Sequence, residues 1–383
     1  MKPQRIFITV FLILTITLIG SVGTSFSQDR FHRFTMENGM SVVLNENQNA
    51  PVVALQIWVK VGSGDEKDDE AGICHFIEHM LFKGTEKRKV REMAREIESL
   101  GGTINAYTSY DQTVYHINIA SRYASTGLDI LSDAVQHSTF DPQELERERE
   151  VVLEEIRMGQ DNPRRRIFIQ TMATLYQYHP YRRPIIGYEK TIRSVTRDQM
   201  VSFFKKWYVP NRMVFIAVGD FDLLEMEKKV RETFKEFKPS PESIPQRSGE
   251  PEQTDVRSVI SHGNFKETYL QISFPIPSAK HEDTPALDAL SHILGGGEAS
   301  RLVQKVKLEK GLVHSISSSS FTPKDPGLFV IEATLTAENL EKALEAILGE
   351  VVQLVRDGVT SEELHRLKVN VESSLIYDRQ TVQ

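Results

Sequence analysis

The chain has 383 residues, of which 40% are hydrophobic and 26% are charged. These values are typical of a globular protein, and the length suggests two domains. The formal net charge of −7, with only short basic clusters, argues against a nucleic-acid partner. The single cysteine, Cys74, excludes a disulfide within the chain, so stability must come from a buried core.

The N-terminus has the pattern of a secretory signal peptide. A positive start, MKPQR, precedes an uncharged apolar run, and small residues follow that run. Ser25 and Ser27 occupy the −3 and −1 positions of a cleavage site before Gln28, so we predict a signal peptide over residues 1–27. The alternative is an uncleaved anchor, because the apolar run approaches the length that spans a membrane. Both interpretations predict an exported protein, periplasmic or extracellular.

The next region, residues 28–237, alternates between strand and helix patterns. FTMENGMSVVLNEN predicts a hairpin that turns at Asn38-Gly39, and VVALQIWVKV predicts a further strand. TINAYTSYDQTVYHINIA predicts paired strands, and RMVFIAVGD predicts one more. Helices are predicted for the motif segment GICHFIEHMLF, for KVREMAREIESL, for residues 123–138, 142–158, 163–178 and 196–207, and for LLEMEKKVRETFKEF.

Residues 238–255 contain four prolines and no apolar periodicity, which indicates a linker. Beyond the linker the order recurs in outline: a strand, two helices, a strand and two more helices. We therefore predict an α+β fold of two similar domains, 28–237 and 256–383, each a mostly antiparallel sheet packed with helices. The second domain is shorter and stops within a helical pattern, so we expect it to be incomplete at its C-terminus.

The segment GICHFIEHMLF places three polar side chains in an otherwise apolar helix. Successive helical residues advance by about 100°, so His75, Glu78 and His79 share one face, and Phe82 follows on that face. Two histidines at i and i+4 can bind one metal ion, and the glutamate between them can take a proton from a water beside it. The alternative is a helix whose histidines bond only to core groups.

A catalytic zinc site needs a third protein ligand and leaves its fourth position to water. The candidate segment is PQELEREREVVLEEIRM, in which Leu145, Val152 and Ile156 form a buried stripe on a helical wheel. Glu148 and Glu155 lie at the edge of that stripe. Helical geometry selects these two glutamates from the acidic residues of the segment without deciding which one binds the metal.

HFIEHMLFKGT, GGTINAYTSYDQTVY and EREREVVLEEI resemble the pitrilysin/insulinase family of inverted-zinc-motif peptidases, which includes the mitochondrial processing peptidase. The resemblance extends from about residue 31 to the end of the chain. It implies one Zn²⁺ per chain, bound by His75, His79 and Glu155. It also implies that Glu78 is the catalytic general base and that Glu148 supports the site from behind.

The resemblance further implies that the strand around NAYT holds the substrate, a peptide or an unfolded polypeptide. Asn105 and Ala106 match the positions that receive an extended chain by β-augmentation, and Phe82 can line a side-chain pocket. The alternatives are that Asn105 is a turn residue between strands and that Phe82 only packs in the core.

One departure from the family concerns an arginine and a tyrosine, seven positions apart, that a partner half contributes. The matching positions in SRLVQKVKLEKGLVHSI are Lys307 and His314, and lysine lacks the planar fork of arginine. We therefore expect a second homologous half, as a C-terminal continuation or a partner subunit. The predicted function is an exported zinc metalloendopeptidase. The alternatives are a non-catalytic scaffold or partner subunit of the same fold and a zinc-binding module without turnover.

Overall fold

The computed structural model describes residues 30–378. The predicted signal peptide, residues 1–27, lies outside the described residues. Between residues 30 and 378, no helix is both long enough and apolar enough to cross a bilayer. The described part of the chain contains a six-stranded sheet, a three-stranded sheet and the helices that cover them.

The six-stranded sheet has the strand order β1-β2-β6-β3-β5-β4. The strands are β1 (Arg30–Thr35), β2 (Ser41–Glu46), β3 (Val52–Val59), β4 (Thr103–Thr108), β5 (Thr113–Ala120) and β6 (Met213–Gly219). All neighbouring strands are antiparallel except β2 and β6. The predicted hairpin at Asn38-Gly39 is confirmed, as are the paired strands of the NAYT segment. In β6 buried and half-buried residues alternate, because a strand presents successive side chains to opposite faces.

Helices pack on this sheet and bury the apolar core. They are α1 (Ile73–Leu81), α2 (Glu92–Ser99), α3 (Ala124–His137), α4 (Pro142–Asp161), α5 (Pro163–Leu175), α6 (Glu189–Ser194), α7 (Arg197–Trp207) and α8 (Leu223–Thr233). α4 begins with Pro142 in its first turn, and the Asp141 carboxylate accepts the backbone N–H groups of Gln143 and Glu144. Such a cap satisfies donors that a helix leaves unpaired at its start. The sequence did not predict the short helix α6.

The three-stranded sheet is antiparallel, with the order β7-β9-β8. Its elements are β7 (Thr268–Ile276), α9 (Thr284–Gly295), β8 (Ser315–Phe321), β9 (Gly327–Leu335), α10 (Leu340–Asp357) and α11 (Ser361–Asp378). The predicted helix RLVQKVKLEK is π-helical over Val303–Glu309. The sequence did not predict β8, SISSSSF, because a serine run has low strand propensity. The observed sheets confirm the α+β prediction.

The predicted linker has no helix or strand, but specific contacts hold it in place. The Arg247 guanidinium pairs with Asp65 and Asp111, beside the first sheet, and with Asp325, between β8 and β9. The Glu250 carboxylate accepts backbone N–H groups of residues 177–179. The segment between the sheets is therefore anchored to both of them. The boundaries proposed for the two domains and the linker stay predictions.

Candidate metal centre

α1 is held at its start by a buried carboxyl group. Gly72, at φ +95°, precedes the helix, and Glu66 accepts the backbone N–H groups of Gly72 (2.9 Å) and Cys74 (2.8 Å). Burial raises the pKa of Glu66 to about 8, although both hydrogen bonds act in the opposite direction. Cys74 is buried, as expected for a small apolar residue. This anchor fixes the helix that carries the histidine motif.

The structure brings His75, His79 and Glu155 together. Their candidate ligand atoms lie within 4.8 Å of one another. Glu155 Oε2 is 3.6 Å from His75 Nε2 and 3.7 Å from His79 Nε2. Ligands at zinc bond lengths of about 2.1 Å in a tetrahedron are separated by roughly 3.4 Å. Two imidazole nitrogens and one carboxylate oxygen at these separations fit a zinc ion.

Glu148 lies behind His79. Its Oε2 is 3.2 Å from His79 Nδ1, and its Oε1 is 2.6 Å from Lys83 Nζ. A proton on Nδ1, directed at the carboxylate, leaves Nε2 free to face Glu155. Burial opposes the charged forms of both groups. For His79, the hydrogen bond to Glu148 and the negative charges of Glu155 and Glu78 together outweigh burial and raise the pKa. For Glu148, the contacts with His79 and Lys83 together outweigh burial and lower the pKa.

His75 has a different environment. Burial, the neighbouring His79 and the positive charge of Arg165 together lower the pKa of His75 to about 3. The imidazole is therefore neutral at physiological pH, which is the form that binds metal. Its Nδ1 atom is buried and, within residues 30–378, has no hydrogen-bond partner.

Glu78 lies beside the three candidate ligands, and Thr108 Oγ1, at the end of β4, donates a hydrogen bond to Glu78 Oε2. Burial raises the pKa of Glu78, and the hydrogen bond from Thr108 and the nearby His79 partly oppose this. A carboxyl group with a raised pKa is suited to general-base work near neutral pH. Sequence reasoning missed Thr108. Its only signal was its place in the NAYT strand.

The predicted substrate residues lie around β4, which forms one edge of the six-stranded sheet within residues 30–378. Asn105 is exposed and Ala106 is half-buried, and both lie inside the strand, so the turn alternative for Asn105 is wrong. Phe82 is half-buried, and its ring meets Tyr115 edge-on, with the ring centroids 5.7 Å apart. Phe82 therefore packs against the core at the end of α1, and a substrate role for it stays a prediction.

The two residues that depart from the family pattern belong to the second sheet region. Lys307 lies in the π-helical segment, with Nζ 3.7 Å from a Glu298 carboxylate oxygen. His314 is exposed and directly precedes β8.

Comparisons with known proteins place the chain in a family. A family profile described as "Insulinase (Peptidase family M16)" matches residues 41–189, and a profile described as "Peptidase M16 inactive domain" matches residues 194–371. The chain is 33% identical to a Bacillus subtilis protein named uncharacterized zinc protease YmxG, covering 90% of this chain and 83% of that protein.

Two further relatives agree. A probable mitochondrial-processing peptidase subunit beta of Arabidopsis thaliana is 31% identical, covering 89% of this chain and 66% of that protein. The crystal structure of a protease from Helicobacter pylori superimposes with a TM-score of 0.88 at 28% identity, covering 92% of this chain and 87% of that chain. The predicted resemblance is confirmed: the chain belongs to peptidase family M16, the insulinase family.

Proposed function

We propose that this protein is a zinc-dependent endopeptidase that hydrolyses peptides or unfolded polypeptides. The observation that carries the proposal is the convergence of His75 Nε2, His79 Nε2 and Glu155 Oε2, with the Glu78 carboxylate beside them. A set of two imidazoles and one carboxylate suits zinc better than calcium or magnesium, which prefer oxygen ligands. The names of the zinc protease relatives support the same metal.

His75, His79 and Glu155 would hold the ion, and Glu148 would fix the ring of His79 through Nδ1. A zinc ion held there would lower the pKa of a bound water and polarise the scissile carbonyl. Glu78 would accept the proton of the attacking water and return it to the leaving amine. Thr108 would orient Glu78 for both transfers.

The edge strand β4 would bind the substrate chain. An extended peptide can add to a sheet edge through main-chain hydrogen bonds, which bind peptides of many sequences equally well. Asn105 and Ala106 would contribute backbone groups to this pairing, and Phe82 would border a side-chain pocket. A loosely selective mode of binding of this kind suits unfolded polypeptides.

A second candidate function is a non-catalytic partner subunit of the same fold. The description of the profile over residues 194–371 as an inactive domain favours it, as do Lys307 and His314 in place of arginine and tyrosine. The complete set of His75, Glu78, His79 and Glu155 favours the peptidase. We propose that a second homologous half supplies the missing arginine and tyrosine. We also propose that the segment 1–27 directs export, which N-terminal sequencing of the secreted protein would test.

The test is hydrolysis of unstructured fluorogenic peptides by the purified protein, alone and with a supplied partner half. We expect activity that a chelator abolishes and that added zinc restores. Glu78→Gln should abolish cleavage and leave the bound metal in place. A chelator-insensitive activity, or a Glu78→Gln variant as active as the wild type, would contradict the proposal. Metal binding without any hydrolysis, even with a supplied partner half, would favour the non-catalytic alternative.

A further inference from the structure

The first turn of α5 carries a cationic side chain close to the metal centre. Arg165 is exposed, and its backbone N–H donates to the Asn162 side chain (3.1 Å), which caps α5. The start of a helix already carries positive partial charge, so an arginine there is electrostatically unfavourable for the helix. Helix stability therefore does not explain Arg165.

Gly159 makes room for the Arg165 guanidinium. A Cβ atom at Gly159 would lie 3.1 Å from Arg165 Nε and 3.2 Å from Arg165 Cζ. Gly159 follows Glu155 by four residues and so lies on the same face of α4. The guanidinium thus crosses the face of α4 that presents the candidate ligand Glu155. The electrostatic effect of Arg165 on His75 agrees with this position.

Arg165 differs from the nearby arginines of α4 and α6, although its neighbours Arg164 and Arg166 on α5 likewise have no carboxylate partner within residues 30–378. Arg149, Arg157 and Arg193 each pair with a glutamate on their own helix. Within residues 30–378, no carboxylate lies within salt-bridge distance of the Arg165 guanidinium. A guanidinium without a protein partner can bind an incoming carboxylate through two parallel hydrogen bonds.

We propose that Arg165 selects peptide substrates that carry an acidic side chain close to the scissile bond. The inference rests on the proposed peptidase function and adds a substrate class to it. β4 would bind the main chain of a peptide of any sequence, and Arg165 would add a preference for peptides with an acidic side chain.

The first experiment profiles cleavage sites. The wild-type protein is incubated with a peptide library, and the products are identified by mass spectrometry. We expect glutamate and aspartate to be enriched within about three residues of the cut. Peptide pairs that differ only by glutamate or glutamine at the enriched position then give the preference as a ratio of kcat/KM. We expect about fivefold, the upper range for a solvent-accessible ion pair, decreasing with salt.

The variants separate Arg165 from general charge effects. Arg165→Gln should reduce the ratio to about one, and Arg165→Glu should favour lysine-containing peptides. Arg164→Gln is the matched control, because Arg164 is exposed one position earlier and lines a groove with Tyr269 and Ser315 of the second sheet. It removes the same charge and should keep the preference.

A wild-type ratio of one or below would overturn the inference, and so would equal losses in Arg164→Gln and Arg165→Gln. Absence of any cleavage would instead count against the proposed function. In that case the affinity of the same peptide pairs for the Glu78→Gln variant, measured by fluorescence anisotropy, tests the inference without turnover. Equal affinities would overturn it, and tighter binding of the glutamate peptide would support it.

Discussion

Glu148 Oε2 lies 3.2 Å from His79 Nδ1, on the side of the imidazole ring opposite the atom that faces Glu155. Glu148 and Glu155 lie seven residues apart on α4, about two helical turns, so both contact the same ring from one helix. In the proposed mechanism, Glu155 would bind the ion and Glu148 would orient His79, a ligand of the ion.

The orienting role of Glu148 predicts a loss of metal affinity without loss of the ligand set. Glu148→Gln should weaken zinc binding by about tenfold to a hundredfold, the usual effect of losing such a partner. Competition with a fluorescent chelator measures the affinity. Glu150→Gln, an exposed change on the same helix, is the control and should leave the affinity unchanged. Equal affinities in the two variants would show that Glu148 does not orient His79.

The hydrogen bond from Thr108 lowers the pKa of Glu78, so its removal should raise that pKa. Because Glu78 must be deprotonated to act as a base, the acidic limb of the pH–kcat/KM profile should move to higher pH in Thr108→Val. A net hydrogen-bond contribution of about 1 kcal/mol corresponds to roughly a fivefold loss on that limb. Thr103→Val, at the exposed opposite end of β4, should leave the profile in place. Superimposable profiles of Thr108→Val and wild type would remove Thr108 from the mechanism.

Glu66 predicts a pH-dependent stability. Its pKa is raised from the ordinary value of 4.5 to about 8, so the folded state favours the protonated carboxyl. The stabilising contribution of Glu66 to the free energy of unfolding is therefore fully present below pH 4.5 and is lost as the pH rises towards 8. The free energy of unfolding should fall with pH more steeply in the wild type than in Glu66→Gln, by at most about 1.4 kcal/mol per pH unit. Urea unfolding between pH 5 and pH 8 measures both slopes, and parallel curves would contradict this account.

Both the backbone conformation at position 72 and the atoms around it require a glycine there. It has φ +95°, and a Cβ there would lie 2.5 Å from the Ile186 carbonyl oxygen. Gly72→Ala should therefore lower the free energy of unfolding by about 1–3 kcal/mol, beyond the ordinary cost of a positive φ. Gly101→Ala is the control, because Gly101 has φ +76° but no atom within 4 Å of its Cβ position. Equal losses would mean that the contact with Ile186 is unimportant.

The motif helix could be predicted from the sequence because the residues that define it lie close together in the chain. The i, i+3, i+4 spacing of His75, Glu78 and His79 determines a shared face, and the apolar residues around them determine which face is buried. The same periodicity selected Glu148 and Glu155 but left their roles open. Both lie on one edge of α4, and only the packing of α4 against α1 distinguishes them.

The contacts that the sequence did not predict are long-range or involve irregular backbone. Thr108 meets Glu78 across 30 residues of chain, which no short-range pattern records. Glu66 lies in a loop, and its role depends on the exact start of α1. Arg247 lies in a segment predicted as a linker from its prolines. Its three aspartate partners come from distant loops.

The central claim is that one zinc ion is held by side chains of α1 and α4, and metal content after substitution at adjacent glutamates tests it most directly. Glu155→Gln and Glu154→Gln change neighbouring residues, but Glu154 is exposed and pairs with Arg157. Elemental analysis after dialysis should find about one zinc per chain in the wild type and in Glu154→Gln, and far less in Glu155→Gln. Zinc retained equally by both variants, or absent from the wild-type protein after zinc loading, would contradict the account.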